Sequence, residues 1–360
     1  MRILFTVQGE GRGHMTQALA VYRNLSRSGH ELVGVAAGRH DGRSLPDFFA
    51  NGFNVPVTPL HSPGFTFRDG RSINLPATLW TTLRRLPVYR QSLRRLRRLV
   101  DETRPDLVIN FFEPLTGLLQ LLTPLSVPVV AVAHQHMIDH PAYVRRPGGA
   151  IDRMGLALFA GLVGARSWKL ALSLTPAEDL PRRRLLVSPP ILRPELFELT
   201  PTPGDYVLVY LVNHGYSEDI RAWHRAHPEV ALHCFYDRPD APPEEVVDGS
   251  LTFHRLDGRK FLRMMAGCRA VVSTAGFESV CEAAWLGKPV LVVPVQNHAE
   301  QALNALDVVQ AGLGIADSTF RLDRLEELPV RLDSSRFREW VSRGDELLER
   351  ILSQASASSY

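Results

Sequence analysis

Glu278 and Glu282 stand four residues apart, just after the small residues Thr274-Ala275-Gly276. At i, i+4 spacing two carboxylates share one helix face, and small residues before a helix let the backbone come close to a ligand at its positive end. One or both carboxylates can then point back into a pocket mouth. The other reading is a surface helix whose carboxylates face water, and for Glu278 the two stand even. Gly287-Lys288-Pro289 ends the helix and starts the apolar strand Val290–Val293, which gives way at Pro294 to a second polar loop. Glu300 and Gln301 then open another helix, with Asn304 one turn further in.

The N-terminus carries a second constellation. An apolar strand over Ile3–Val7 runs into Gln8-Gly9-Glu10-Gly11-Arg12-Gly13-His14, and a helix is expected from about Thr16 to Arg27. Closely spaced glycines expose backbone N–H groups at a helix start, where an anion is favoured. The spacing is G-x-G-x-G-H, a poor dinucleotide fingerprint. His14 can serve as a general base, since imidazole exchanges a proton near neutral pH. It can also be a helix cap or a packing residue. Glu10 is the competing base.

Both constellations resemble the GT-B glycosyltransferases, in particular the group that includes the peptidoglycan-precursor GlcNAc transferase and the UDP-sugar transferases. The likeness lies in Gly9–His14, in Ser28-Gly29-His30-Glu31-Leu32-Val33, and in the Ser273–Ala305 block with its Glu helix, Gly-x-Pro turn and acidic-Gln-x-x-Asn-Ala helix. It implies a nucleotide-sugar donor, with UDP expected, held by Thr274, Ala275, Gly276, Glu278, Ser279, Glu282, Asn297, Glu300 and Gln301. Glu282 would take the ribose hydroxyls, and Glu300 and Gln301 the donor sugar. Catalysis would fall to His14 or Glu10. Gly11, Arg12, Gly13, Glu113, His134 and His136 would lie on the acceptor side. The resemblance also implies inversion at the anomeric carbon, no metal and no other cofactor. One departure concerns the loop Leu211–Glu218, with a single glycine where the peptidoglycan enzyme has a glycine-rich phosphate turn. Asn213, His214, Gly215 and Ser217 are its candidate diphosphate donors, and an ordinary strand-to-helix loop is nearly as good a reading.

The elements that must position these residues alternate between apolar strands and helices. Strands are expected near Leu32–Ala36, Leu107–Asn110 and Val129–Ala133 in the first half, and near Tyr206–Val212, Leu232–Phe235, Leu251–Phe253 and Ala270–Ser273 in the second. The fold class is α/β, with two Rossmann-like doubly wound domains facing a cleft. The proline-dense stretch from Ser188 to Gly204 reads as the linker. Expected boundaries are 1–190 for an acceptor domain, 204–335 for a donor domain, and 336–354 for a terminal helix packing back on the first domain. Glu113 and His134-Gln135-His136 fall at strand C-terminal ends, where such sheets bind ligands. His-x-His raises a metal, but no further ligands or Asp-x-Asp accompany it.

At 360 residues, two domains are the natural division. A net charge of +3 is not that of a nucleic-acid polycation. Three cysteines without metal or disulfide spacing favour a reducing compartment, and with no leader before the first strand the cytoplasm is expected. The segment Leu79–Arg104 interleaves arginines with leucines, divided by Pro87, and Met154–Ala165 is apolar but too short to span a bilayer. Both suit peripheral contact with anionic lipid, although solvated and core helices are the commoner reading. Three rival functions remain: a UDP-GlcNAc 2-epimerase-like isomerase with the same two-lobe fold, a non-catalytic sugar-nucleotide-binding protein with the same cleft, and an NADP-dependent oxidoreductase, for which Gly9–Gly13 lacks the normal glycine spacing.

Overall fold

A computed structural model describes residues 1–9, 11–39, 44–64, 66–68, 72–73, 75–145, 149–211, 214–236, 238, 241–344 and 350. The first lobe is built on seven parallel strands: β1 (Arg2–Val7), β2 (Glu31–Arg39), β3 (Val57–His61), β4 (Leu107–Phe111), β5 (Val129–Ala133), β6 (Trp168–Leu172) and β7 (Leu185–Ser188). Their order is β3-β2-β1-β4-β5-β6-β7. β1 lies between β2 and β4, with Phe5 opposite Val35 on one side and Ile109 on the other. Parallel strands covered by helices on both faces have no solvent side, so they read as unbroken apolar runs.

The second lobe repeats the plan with β8 (Tyr206–Leu211), β9 (Ala231–Tyr236), β10 (Glu244–Val246), β11 (Leu251–Arg255), β12 (Ala270–Ser273), β13 (Val290–Val292) and β14 (Gly314–Ala316). Its order is β10-β11-β9-β8-β12-β13-β14, and only β10 runs antiparallel. In each sheet the chain reverses its direction of winding beside the first strand, between β1 and β4 and between β8 and β12. The loops leaving those strands splay apart there and leave a crevice for a ligand.

Helix α1 (Arg12–Arg27) follows β1. It starts one turn earlier than the sequence suggests, because the extended Gly11 is its N-cap, and Gly13 and His14 therefore belong to the first helical turn. The arginine-rich segment forms two helices, α2 (Leu75–Arg84) and α3 (Leu86–Thr103). Pro87 sits in the first turn of α3, where its missing N–H has no helical partner to lose. Inward, α3 buries Tyr89, Leu93, Leu96 and Val100 at helical spacing, and it leaves Arg90, Arg94 and Arg98 in water. The first lobe is completed by α4 (Pro114–Leu122) and α5 (Ala150–Val163), and the second carries α6 (Ser217–Ala226), α7 (Gly258–Gly267), α8 (Phe277–Trp285) and α9 (Ala299–Gln310).

A final helix, α10 (Ser335–Ser342), joins the lobes. Phe337 and Val341 enter the core of the second lobe, whereas Trp340 packs with Phe112, Met137 and Val163 of the first. The Trp340 indole N–H donates to Ser173 O at 2.9 Å. Beyond it, Arg350 pairs with Asp179 of the first lobe, and the rest of the expected helix to Leu352 lies outside the described residues. Among the described residues no helix is long and apolar enough to cross a membrane. Cys234, Cys268 and Cys281 are free and buried.

Candidate active site between the lobes

The second lobe contributes the start of α8. β12 delivers Thr274 and Ala275 fully buried, and extended Gly276 caps the helix. Ser279 is tied to the strand end through its Oγ, 2.8 Å from Ser273 Oγ. Glu278 and Glu282 lie on the buried side of α8, and their environments differ. Glu282 is 2% exposed and receives Arg193 Nε at 2.6 Å. Arg193 comes from the linker, and its Nη1 also reaches Gly258 O at 3.4 Å. Burial opposes the guanidinium charge, but Glu282 first, with Glu195 and Glu278 after it, together hold Arg193 above its ordinary value. Glu278 faces the first lobe, where Gln17 of α1 donates to its Oε1. Burial, and then the nearby Glu282 charge, push the Glu278 carboxyl up to about 8.

Across the interface, His14 sits in the first turn of α1 with its ring stacked on Phe112, centroids 5.4 Å apart. His14 Nδ1 is 3.3 Å from Gln17 Oε1. Burial lowers its pKa, against the opposing pulls of Glu300 and the Gln17 hydrogen bond, so the ring is neutral near pH 7. Gly13 has a steric reason to be glycine: a Cβ there would stand 3.0 Å from Glu278 Cγ.

Helix α9 closes the third side. Glu300 accepts from Gln135 Nε2 at 2.9 Å, a second hydrogen bond between lobes. Gln301 Oε1 accepts the Val295 N–H at 2.8 Å, and the Gln301 N–H is capped by His298 Nδ1 at 3.4 Å. Asn304 Nδ2 donates to Ala275 O at 3.0 Å, which ties α9 to the loop before α8. Asn297 is exposed in the loop between, with φ +58.

Several other residues singled out by sequence are buried below this floor. Glu113 is the N-cap of α4, accepting the Leu115 N–H at 3.1 Å and Ser62 Oγ at 2.5 Å. His134 bonds to Leu172 O at 2.7 Å and stacks on Phe277 at 4.0 Å, with Asp307 Oδ2 3.7 Å away. It is thus a joint between lobes. His136 is fully buried with neither ring nitrogen hydrogen-bonded, and burial, Lys169 and His14 press its pKa to about 3. All three side chains are buried, so none of them lines an open surface. Gly11 is exposed, and the half-buried Arg12 lies over the Phe48 ring at 5.4 Å. Gly215 and Ser217 are half-buried around the start of α6, beside Tyr216, whose hydroxyl accepts the Gln296 N–H at 3.3 Å. His214 begins the turn before α6, and Glu10 and Asn213 lie outside the described residues.

Gln17, Phe112 and Arg193 belong to the site without having been picked out as site residues in the sequence. Gln17 carried a usable signal, for it stands at i+3 from His14 and shares its helix face once α1 starts at Arg12. The contacts of Arg193 and Gln135 span 89 and 165 residues, and no local pattern encodes them. Among the described residues, no group of three or more His, Cys, Asp or Glu side chains could hold a metal ion.

Two facing Rossmann-like lobes with a polar seam between them define the GT-B fold. The chain belongs to glycosyl transferase family 1, whose family model matches residues 1–332. It is 23% identical over 98% of its length to an uncharacterized glycosyltransferase of Methanosarcina mazei, 95% of which is covered. It is 26% identical over 85% of its length to the UDP-N-acetylglucosamine–N-acetylmuramyl-(pentapeptide) pyrophosphoryl-undecaprenol N-acetylglucosamine transferase of Mycolicibacterium vanbaalenii, covering 75% of that protein. Among solved structures it is similar to the glycosyltransferase VinC in complex with dTDP, with a TM-score of 0.55 and 17% identity over 99% of this chain and 100% of that one.

Proposed function

We propose that the chain transfers a hexosyl or N-acetylhexosaminyl group from UDP to a hydroxyl acceptor held against the first lobe, with inversion at the anomeric carbon. One observation carries the reading. Glu278 Oε2, Thr274 Oγ1, Gln135 Oε1 and Asn304 Oδ1 are buried around the seam with no hydrogen-bond partner. Buried polar atoms are almost always paired, so a cluster of unpaired ones where two lobes meet marks groups kept for a polyhydroxylated ligand. The Mycolicibacterium relative is named for a UDP-sugar reaction and VinC is bound to a nucleoside diphosphate, in keeping with this donor class.

In the proposed reaction the acceptor oxygen attacks the anomeric carbon as its bond to the UDP oxygen breaks. His14 takes the acceptor proton, and the diphosphate leaves with the bonding electron pair. Its growing negative charge is met by N–H groups at the start of α8, after Thr274-Ala275-Gly276, with no metal required. Glu282 receives the ribose hydroxyls, and Glu300 and Gln301 the sugar. The test is a screen of donors and acceptors by mass spectrometry. A glycosylated product from a UDP-sugar supports the reading, and conversion of UDP-GlcNAc without any acceptor would replace it with epimerisation.

The acceptor is proposed to be presented at a membrane surface. Leu79, Trp80, Leu83 and Leu86 are exposed beside Arg84 and Arg90, and Ile151, Met154 and Leu158 of α5 are exposed as well. An apolar face rimmed by arginine suits anionic head groups. Co-sedimentation with phosphatidylglycerol vesicles, lost in Trp80→Ser/Leu83→Ser, is the expected result, and no sedimentation would remove the membrane from the proposal.

A further inference from the structure

His14 is held by Gln17, and Gln17 by a residue of the other lobe. A glutamine amide has one accepting oxygen and one donating nitrogen, so fixing one end fixes the other. Gln17 is 2% exposed; its Nε2 donates to Glu278 Oε1, and its Oε1 faces His14 Nδ1 at 3.3 Å. An amide oxygen cannot donate. Nδ1 must therefore carry the imidazole proton, and Nε2 keeps the lone pair for an acceptor hydroxyl. With the amide reversed, Nδ1 would face an N–H group, the proton would move to Nε2, and no base would remain there.

Glu278 decides which way the amide lies. An ionised carboxylate only accepts and so selects the Gln17 amino end, whereas a protonated carboxyl can donate and tolerates the reversed amide. We propose that Gln17 is a positioning residue that sets the His14 tautomer, and that ionised Glu278 orients Gln17 from the second lobe, arming the base only when the lobes are closed. The close approach at Gly13 is an independent sign that α1 and α8 are fitted to this contact, since any side chain there would press on Glu278. The groups facing Glu278 are Gln17 on α1, Glu282 and Cys281 on its own helix, and Arg193 from the linker. Those facing His14 are Gln17, Glu300 from α9 and His136 from below. With its carboxyl pushed up to about 8, Glu278 ionises within an ordinary assay range, while burial holds the His14 pKa below its ordinary value.

The effect on turnover rests on reading His14 as the base, but the tautomer does not, and this separates the two in experiment. Protein labelled with 15N-histidine, with and without saturating UDP, is followed by two-bond 1H–15N correlation, the His14 signal being assigned from His14→Ala. Wild type should show the Nδ1–H form above about pH 9 and a growing Nε2–H fraction below about pH 7, one unit either side of the Glu278 midpoint. Gln17→Met, which keeps the length without the hydrogen bonds, should show Nε2–H throughout, and Glu278→Gln should lose the pH dependence. An unchanged His14 tautomer in either variant would overturn the proposal. In parallel, kcat at saturating donor for UDP release from UDP-GlcNAc should rise through the same midpoint in wild type and lose that limb in Glu278→Gln. A limb retained in Glu278→Gln would also overturn it. Should His14→Ala keep full turnover while the tautomer follows Gln17, the base reading fails and this inference stands; an inactive His14→Ala with an indifferent tautomer sinks this inference alone.

Discussion

Replacing Glu282 by alanine tests the linker's part in the site as well as the donor's. Read from sequence, the change removes only a ligand contact and leaves the fold intact. The structure adds a second consequence, because Arg193 would keep its charge beneath α8 with no carboxylate beside it. Removing one partner of a buried ion pair typically costs about 3–5 kcal/mol. The Arg193 side chain retains 21% exposure against 3% for Glu282, so water screens the pair in part and the low end, about 3 kcal/mol, is expected. A loss of that size lowers the melting temperature of a lobe by roughly 6–12 °C. Calorimetry is the suitable assay, since it resolves lobes that unfold separately. Arg193→Met combined with Glu282→Leu should recover most of the loss, because replacing both partners leaves no orphaned charge. A Glu282→Ala protein within about 0.5 kcal/mol of wild type would refute the argument, as would a double variant as unstable as the two single losses summed.

Other substitutions probe the seam and its supports. His14→Ala should lower kcat by about 10² while UDP affinity survives, measured by initial rates and calorimetric titration; near-normal turnover would remove the base role. Lys288→Met should cost roughly 1–3 kcal/mol in urea unfolding, because Lys288 Nζ donates at 2.7 Å to both Thr202 O and Cys268 O, which would be left unpaired. Stability should also depend on pH through Glu278. Its folded pKa, about 8, is above the ordinary carboxyl value of 4.5, so the folded state holds the extra proton. That contribution is complete below about pH 4.5 and is lost as pH rises to about 8. Urea midpoints of wild type should therefore fall relative to Glu278→Gln over that window, and parallel curves would count against the buried, protonated state. His136 works in the opposite sense, with stability lost as pH falls from about 6.5 toward 3.

Much of the architecture was readable because parallel strands buried on both faces are written as apolar runs. Val129–Ala133 and Ala270–Ser273 fall where expected, and the prolines before Gly204 do separate the sheets. Other strands were missed: β6 and β7 went unread although both carry buried apolar residues, and two more have a weak signal. β3 contains Pro59, tolerable because β3 pairs only with β2 at the sheet edge, and β14 is the three-residue edge strand Gly-Ile-Ala. Within the site, residues on one element kept their sequence relationship, as in the shared face of Glu278 and Glu282. Their partners did not, for Gln17, Gln135 and Arg193 arrive from the other lobe or the linker, and a single sequence carries no record of such distant pairings. His134 and Glu113 show the converse, since strand ends that bind ligands in this fold also hold the polar residues that fasten one lobe to the other and cap the next helix.

The proposed chemistry requires UDP to bind at α8 and α9 with Glu282 on its ribose. Isothermal titration of UDP, dTDP, GDP and ADP into wild type and Glu282→Gln tests it directly, the glutamine variant avoiding the size change of alanine. Selective binding of UDP is expected, weakened in Glu282→Gln by about 10–150-fold, the equivalent of roughly 1.5–3 kcal/mol for a charge-assisted hydrogen bond. Equal UDP affinity in a folded Glu282→Gln protein, or no preference for UDP over the other three, would contradict it.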